Sequence, residues 1–191
     1  MLQLKITIDK ITPEIWRRIL VPETFSINQL HHIIQISLGW TNSHLYMFGL
    51  WDKKIGDPTL WDDGETAWDK KIKILDVLQK AGDTFPYEYD MGDSWKHTIV
   101  LEKTDDSLLK IPKCLDGARA APPEDCGGYP GYKELTHHLK HPEKDGYLEL
   151  LEWMDEDYDL ERFDLEEVNK ELKGLAKYIK AFDKGNGLPQ G

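Results

Sequence analysis

The side chains best able to do chemistry are concentrated in one stretch, Tyr87-Glu88-Tyr89-Asp90-Met91-Gly92-Asp93-Ser94-Trp95-Lys96-His97. It reads as a β-hairpin about Met91-Gly92, with Gly92 supplying the positive φ of a tight turn. A two-residue turn sets Asp90 opposite Asp93, Glu88 opposite Trp95 and Pro86 opposite His97. Alternation along each strand then gathers Phe85, Tyr87, Tyr89, Thr98 and Val100 on a core face. Glu88, Asp90, Asp93, Trp95, His97 and Ile99 share the other face, with Asp90 and Asp93 at an accessible edge. Opposed aspartates need compensation. A metal ion, a basic side chain or the turn's own backbone N–H groups each supply it, and the last is the common local use of Asp.

Distance limits what the hairpin does alone. Asp93 and His97 are four residues apart, about 13 Å at ~3.3 Å per residue, too far to share one ion. Asp90 and Asp93 can share one. His97 must meet a partner from elsewhere or act as a packing residue between Trp95 and Ile99, since an imidazole buried without hydrogen bonds costs about 1–3 kcal/mol. The loop Pro122-Pro123-Glu124-Asp125-Cys126-Gly127-Gly128 is the candidate donor, a rigid double proline holding two carboxylates beside flexible glycines. If the hairpin and this loop make one site, Asp125 is expected within hydrogen-bond reach of His97, directly or through one water.

Other groups read as structural. Cys114 and Cys126 are twelve apart with no C-x-x-C, so they define neither a zinc site nor a disulfide scaffold. His137 and His141 have metal-pair spacing but fall opposite Tyr132, Leu135 and Leu139, on a solvated helix face. His31 borders the apolar side of its helix, whereas His32 points outward. Asp155-Glu156-Asp157-Tyr158-Asp159 lacks the glycine and ligand spacing of a calcium loop. No phosphate-loop, dinucleotide or nucleophile-elbow motif occurs. Trp16-Arg17-Arg18, Lys53-Lys54 and Lys70-Lys71-Lys73, with Trp40, Trp51, Trp61 and Trp68, are the candidates for a basic stacking surface toward nucleic acid.

Elements must position these groups. Residues 2–9 alternate as a half-buried strand, and Ile15–Val21 is a second strand after a turn at Thr12-Pro13. Ser26 and Gln29 form a capping box for a helix running to Leu38, stopped by Gly39. A short aromatic strand over His44–Leu50 and a turn-rich stretch to Lys71 follow. Ile74–Lys80 is a short helix, and Phe85–Asp90 and Trp95–Lys103 are the hairpin strands. Thr104–Tyr132 shows little periodicity, and long loops of this kind are commonly functional. The last helix starts at Asp164, with Glu167 completing a capping box, and carries an apolar stripe of Leu165, Val168, Leu172, Leu175, Ile179 and Phe182. That stripe docks on its own core or serves self-association. Strands first and helices later mean α+β, with a mostly antiparallel sheet, a β-grasp or roll-like strand-strand-helix-strand start and helices concentrated in the C-terminal part. Residues 1–184 read as a single domain and 185–191 as a frayed tail.

The chain has 191 residues, with 24 basic against 35 acidic side chains and a net charge of -11, which argues against gripping duplex DNA or an anionic membrane. No apolar run is long enough to span a bilayer, and the start lacks a signal peptide's apolar stretch. With two cysteines, a reducing cytoplasmic setting is expected.

The segment Tyr87–His97 with Glu102, then Cys114–Gly117 and Pro122–Gly128 through Gly131-Tyr132, resembles the plasmid pRiA4b ORF-3-like protein family. The likeness extends to Ile15–Arg18 with Val21-Pro22, Leu30-His31 through Gly39-Trp40, His44-Leu45, Trp153, Phe163-Asp164 and Asn169, nearly the whole chain to about Leu172. It implies a single α+β domain of prokaryotic genomes and plasmids, with no established activity and some relatives named for mobile elements. Where the family pattern often has a cysteine before the double proline, this chain has Ala121, which weakens a paired-thiol or zinc reading for Cys114.

The leading expectation is a soluble binding or interaction domain with a ligand site between the Tyr87–His97 hairpin and the Ala121–Gly128 loop. Its ligand contacts are Glu88, Asp90, Asp93, Trp95, Glu124 and Asp125. The alternative is a metal-dependent hydrolase, with Asp90, Asp93 and Asp125 holding Mg²⁺ or Mn²⁺ and His97, assisted by Asp125, as acid/base. A third is a nucleic-acid-associated module. A small ligand or a protein is the expected partner rather than duplex nucleic acid, with no membrane.

Overall fold

Leu2, Leu4, Ile6 and Ile8 are all buried, and their alternation makes the first strand the centre of the core. In the computed structural model, which describes residues 1–49, 54–61, 64–104, 106, 108–143 and 158–184, the strands are β1 (Leu2–Ile8), β2 (Trp16–Val21), β3 (Tyr46–Phe48), β4 (Ile55–Gly56), β5 (Ala67–Trp68), β6 (Thr84–Tyr89), β7 (Trp95–Thr104) and β8 (Lys113–Ala118). They form one sheet in the order β5-β4-β3-β6-β7-β1-β2-β8. Every pairing is antiparallel except β4 with β5. Among the described residues the helices are α1 (Ile27–Leu38), α2 (Ile74–Val77), α3 (Gly128–Lys140), α4 (Leu165–Lys173) and α5 (Leu175–Phe182). The architecture is α+β, opening strand-strand-helix-strand.

Helix α1 starts where its sequence dictates. Ser26 accepts from the Gln29 N–H, and the Gln29 side chain returns to the Ser26 N–H. Gly39 takes the left-handed conformation (φ 76°) that ends the helix. Ile27, Leu30, Ile33 and Ile34 bury against the sheet, and α4 and α5 pack on α1 and β8. The apolar stripe thus docks on its own fold, through Leu172 and Leu175 above all, while Leu165 is exposed. It is two helices rather than one, parted at Gly174. Asp164 caps α4 by accepting from the Glu166 and Glu167 N–H groups, but the Glu167 carboxylate pairs with Arg162 at 3.1 Å instead of closing a capping box.

Three further expectations need correction. The aperiodic Thr104–Tyr132 stretch contains β8 and the start of α3. β8 is a sheet edge, and Asn169 of α4 covers it by accepting from the Cys114 N–H and donating to the Cys114 carbonyl, both at 2.9 Å. Gly117 has no side chain because a Cβ there would meet the Phe163 ring at 2.7 Å. His32 points inward: it is 1% exposed and packs edge-on against Tyr178 and Phe182, on a helix that its local pattern does not reveal.

The third correction is the hairpin register. Tyr89 pairs with Trp95, Tyr87 with His97 and Phe85 with Ile99. The connection is Asp90–Ser94, with left-handed residues at Asp90 (φ 57°) and Ser94 (φ 54°), and not a two-residue turn about Gly92. Asp90 nucleates it through its side chain, as Asp does in local turns. Its Oδ1 accepts from the Gly92 N–H at 2.9 Å and from the Asp93 N–H at 3.3 Å. Its carbonyl accepts from the Ser94 N–H at 2.6 Å. Trp95, His97 and Ile99 therefore join Phe85, Tyr87 and Tyr89 on the buried face, while Val100 is only half-buried. Asp90 is buried too, so the accessible acidic edge does not form.

Burial of imidazoles links this core to pH. Desolvation lowers His31 well below its usual value and pushes His32 and His97 down to about 4. Between pH ~6.5 and ~4 the unfolded chain takes up protons that these buried imidazoles refuse, so their contribution to stability is fully present above that window and is lost with acid across it. Each of His32 and His97 contributes on the order of 3 kcal/mol to this loss. Urea midpoints measured at pH 7, 5.5 and 4 are expected to fall steeply over the lower interval, and His97→Gln to flatten the dependence.

Candidate functional site

The buried Arg17 fixes where the site's two walls start. Its Nε donates to the Ser37 carbonyl at 2.7 Å, Nη1 to Trp16 and Ala118 at 2.9 and 3.0 Å, and Nη2 to Arg119 at 2.9 Å. The Phe163 ring lies 4.6 Å above the guanidinium. Burial lowers its pKa to about 10, which leaves it charged at neutral pH. Four backbone carbonyls, one from the last turn of α1, meet that charge. The chain leaving α1 (Trp40–His44) and the strap leaving β8 (Arg119–Gly128) thereby run side by side.

Ladder-like bonds hold the two together. Tyr158 donates to the Ala121 carbonyl at 3.0 Å, and Trp40 Nε1 donates to the Pro122 carbonyl at 2.9 Å. Glu124 accepts from the Thr41 N–H at 2.7 Å and from the Tyr89 hydroxyl. The Tyr89 phenol is held above its usual range, by burial first and then by Glu124. Asp93 Oδ2 accepts from the Gly127 N–H at 3.2 Å, and a Cβ on Gly128 would stand 2.4 Å from the Asp93 carbonyl. The double-proline strap thus closes on the hairpin tip as a clasp.

At the seam the structure gathers three metal-ligating side chains from three segments, His44, Asp90 and Asp125, with donor atoms all within 4.8 Å of one another. The His44 ring lies between the carboxylates, Nδ1 3.8 Å from Asp90 Oδ2 and Nε2 3.2 Å from Asp125 Oδ1. Asp90 is held by the turn, whereas Asp125 is 77% exposed. On the far side of the strap, Trp40, Pro122 and Glu124 also line a cleft of about 700 Å³ reaching Phe163 and Val168.

The other expected site residues are dispersed. Glu124 and Asp93 are engaged in the clasp. Glu88 is on the outer sheet face, accepting from the Ser94 hydroxyl. Trp95 is in the core between Trp40 and Tyr132. His97 is in the core against Trp40 and Tyr87, with neither ring nitrogen hydrogen-bonded, although the backbone of Tyr87 and Trp95 tempers its pKa shift. The imidazole that meets Asp125 is therefore His44, because the true register turns His97 inward. His44 was legible as the start of a strand and as part of the family resemblance but not as a site residue, and pairing of Tyr46 with Tyr89 is what carries it to the hairpin tip.

The proposed stacking surface is split. Arg17 and Trp40 are buried, and Arg18 pairs with Glu102 at 2.6 Å. Trp68 on β5 lies six strand spacings from β2 in the sheet order, about 29 Å at ~4.8 Å each. Trp51, Lys53, Trp153, Asp155–Asp157 and the tail lie outside the described residues. Both cysteines are free, and no helix among the described residues is long and apolar enough to cross a membrane.

Sheet, clasp and edge-covering helix define an α+β protein built around a strapped hairpin. The sequence profile of the plasmid pRiA4b ORF-3-like proteins matches residues 1–167, and the chain belongs to that family. It is 37% identical over 178 residues to the uncharacterized protein y4hQ of Sinorhizobium fredii (strain NBRC 101917 / NGR234), covering 91% of each. The crystal structure of a protein of unknown function, MM3350 from Methanosarcina mazei Go1, is similar at a TM-score of 0.77 and 35% identity, over 86% of this chain and 95% of that one.

The clasp yields a direct expectation. Gly128 is left-handed (φ 64°) and abuts backbone. Gly128→Ala therefore combines a left-handed penalty of about 1–2 kcal/mol with a contact that only a backbone shift relieves. Guanidinium unfolding should show a loss of about 2 kcal/mol or more. Amide exchange should quicken at Gly127 and in the hairpin turn.

Proposed function

We propose that this chain is a binding domain whose site is the seam between the hairpin tip and the double-proline strap, and that His44, Asp90 and Asp125 hold a divalent cation there. The convergence of these three donors carries the reading. Donors about 2.1 Å from one tetrahedral ion lie ~3.4 Å apart, so donors now spread within 4.8 Å must draw together on binding. The exposed Asp125 has the freedom to do so. One imidazole and two carboxylates suit Zn²⁺ or Mn²⁺ better than Ca²⁺, which prefers all-oxygen shells.

Binding is favoured over metal-dependent hydrolysis because the two other groups that hydrolysis was to use are occupied. Asp93 anchors Gly127, and the His97 ring lies in the core. Residues 1–184 act as one cytoplasmic domain in this reading: the continuous sheet supports a single domain, and a chain with two unpaired cysteines suits a reducing compartment.

Isothermal titration with Zn²⁺, Mn²⁺ and Ca²⁺ tests the site. One Zn²⁺ or Mn²⁺ per chain is expected, with His44→Ala and Asp125→Asn each about tenfold weaker or more. Asp93→Asn, a clasp variant, should change affinity less. An absence of heat with all three ions, or affinity unchanged by His44→Ala, rejects the cation site.

A further inference from the structure

Most of the sheet's outer face is polar, as expected where one face meets water: β1 presents Gln3, Lys5 and Thr7 there. Where β3, β6 and β7 adjoin, the pattern changes. Met47 and Pro86, with Met91 from the turn and Trp61 from the β4–β5 connection, surround a pocket of about 280 Å³. This is the opposite face from the seam, and none of the proposed cation ligands lines it.

Its polar groups are unequal. Glu88 accepts from the Ser94 hydroxyl, and Asp9 accepts from the Thr98 hydroxyl at 2.9 Å. Lys54, also on the wall, is already engaged. Lys96 stands directly across from Glu88 in the strand register, yet that carboxylate is turned to Ser94, and among the described residues Lys96 forms no ion pair. The pocket wall therefore combines two methionines, a proline and an indole with one uncommitted ammonium. Methionine and tryptophan walls favour flat apolar groups, and the volume, just below the usual range of ligand pockets, suits a small one.

We infer that this outer-face pocket binds a small aromatic or apolar molecule carrying a single anionic group, with Lys96 as the charge partner. The inference is independent of the cation site.

Three probes share one ring and differ in charge: phenylacetate, 2-phenylethanol and 2-phenylethylamine. Titrated into the full chain, phenylacetate is expected to bind about fivefold tighter than the alcohol, and the amine weakest. Lys96→Gln, at an exposed position, should erase the preference for phenylacetate while leaving the alcohol unchanged. Met47→Trp, checked for folding by circular dichroism, should abolish binding of all three by filling the pocket. Asp125→Asn should leave all three affinities unchanged. The inference is overturned if no probe binds at millimolar concentration, if the three bind alike, or if the preference survives Lys96→Gln.

Discussion

A guanidinium buried with no carboxylate partner among the described residues is the constraint on which the site rests. Arg17 sits on β2, 3% exposed, and its charge is met by carbonyl dipoles of β2, the β8 end, Arg119 and the last turn of α1. An isolated buried charge is expensive, and removing its partners leaves that penalty uncompensated. These particular backbone segments must therefore stay where they are. Phe163 closes the cage and Gly117 makes room for that ring, so residues far apart in the chain form one mechanical unit.

A second buried network sets the angle of α1 over the sheet. The Tyr87 hydroxyl accepts from Gln35 and lies 2.9 Å from His31 Nδ1, while His31 Nε2 is 2.7 Å from Asn42 Oδ1. With His31 neutral, this pattern requires the Nε2–H tautomer, with Tyr87 donating to Nδ1. Tyr46 stacks on that imidazole and donates to the buried Asp69, which also accepts from Asn28. Burial raises the Asp69 pKa. The network spans α1, β3, β6 and the end of β5, and it lays Thr41–His44 along the strap. Rigidity in the core thus becomes placement at the seam.

The hairpin then works through both of its faces. Its inner face carries Tyr89 to Glu124, and its turn holds Asp90 beside His44. Its outer face bears Glu88 and Lys96 beside the methionine-lined pocket. One five-residue connection, Asp90–Ser94, decides which side chain goes where.

The elements fully specified by local chemistry were legible from the sequence alone. Alternation in residues 2–9, the Ser26–Gln29 capping box, Gly39 and the Asp164 cap all act within a few residues, where sequence neighbours are also spatial neighbours. The meeting of the double-proline strap with the hairpin was legible through family resemblance, and Asp90 and Asp125 do converge. Tertiary structure decided the rest. The turn length depended on Asp90 and Ser94 adopting left-handed backbone conformations, and a change of register by one residue reverses every side chain on a strand. That reversal moved His97 and Trp95 into the core. β8 exists because β2 and Asn169 satisfy its two edges, and His32 is buried because α5 arrives from the far end of the chain. His44 became a site residue through strand pairing of β3 with β6. Contacts between distant segments are chosen by packing and hydrogen-bond satisfaction over the whole fold, and no local spacing records them.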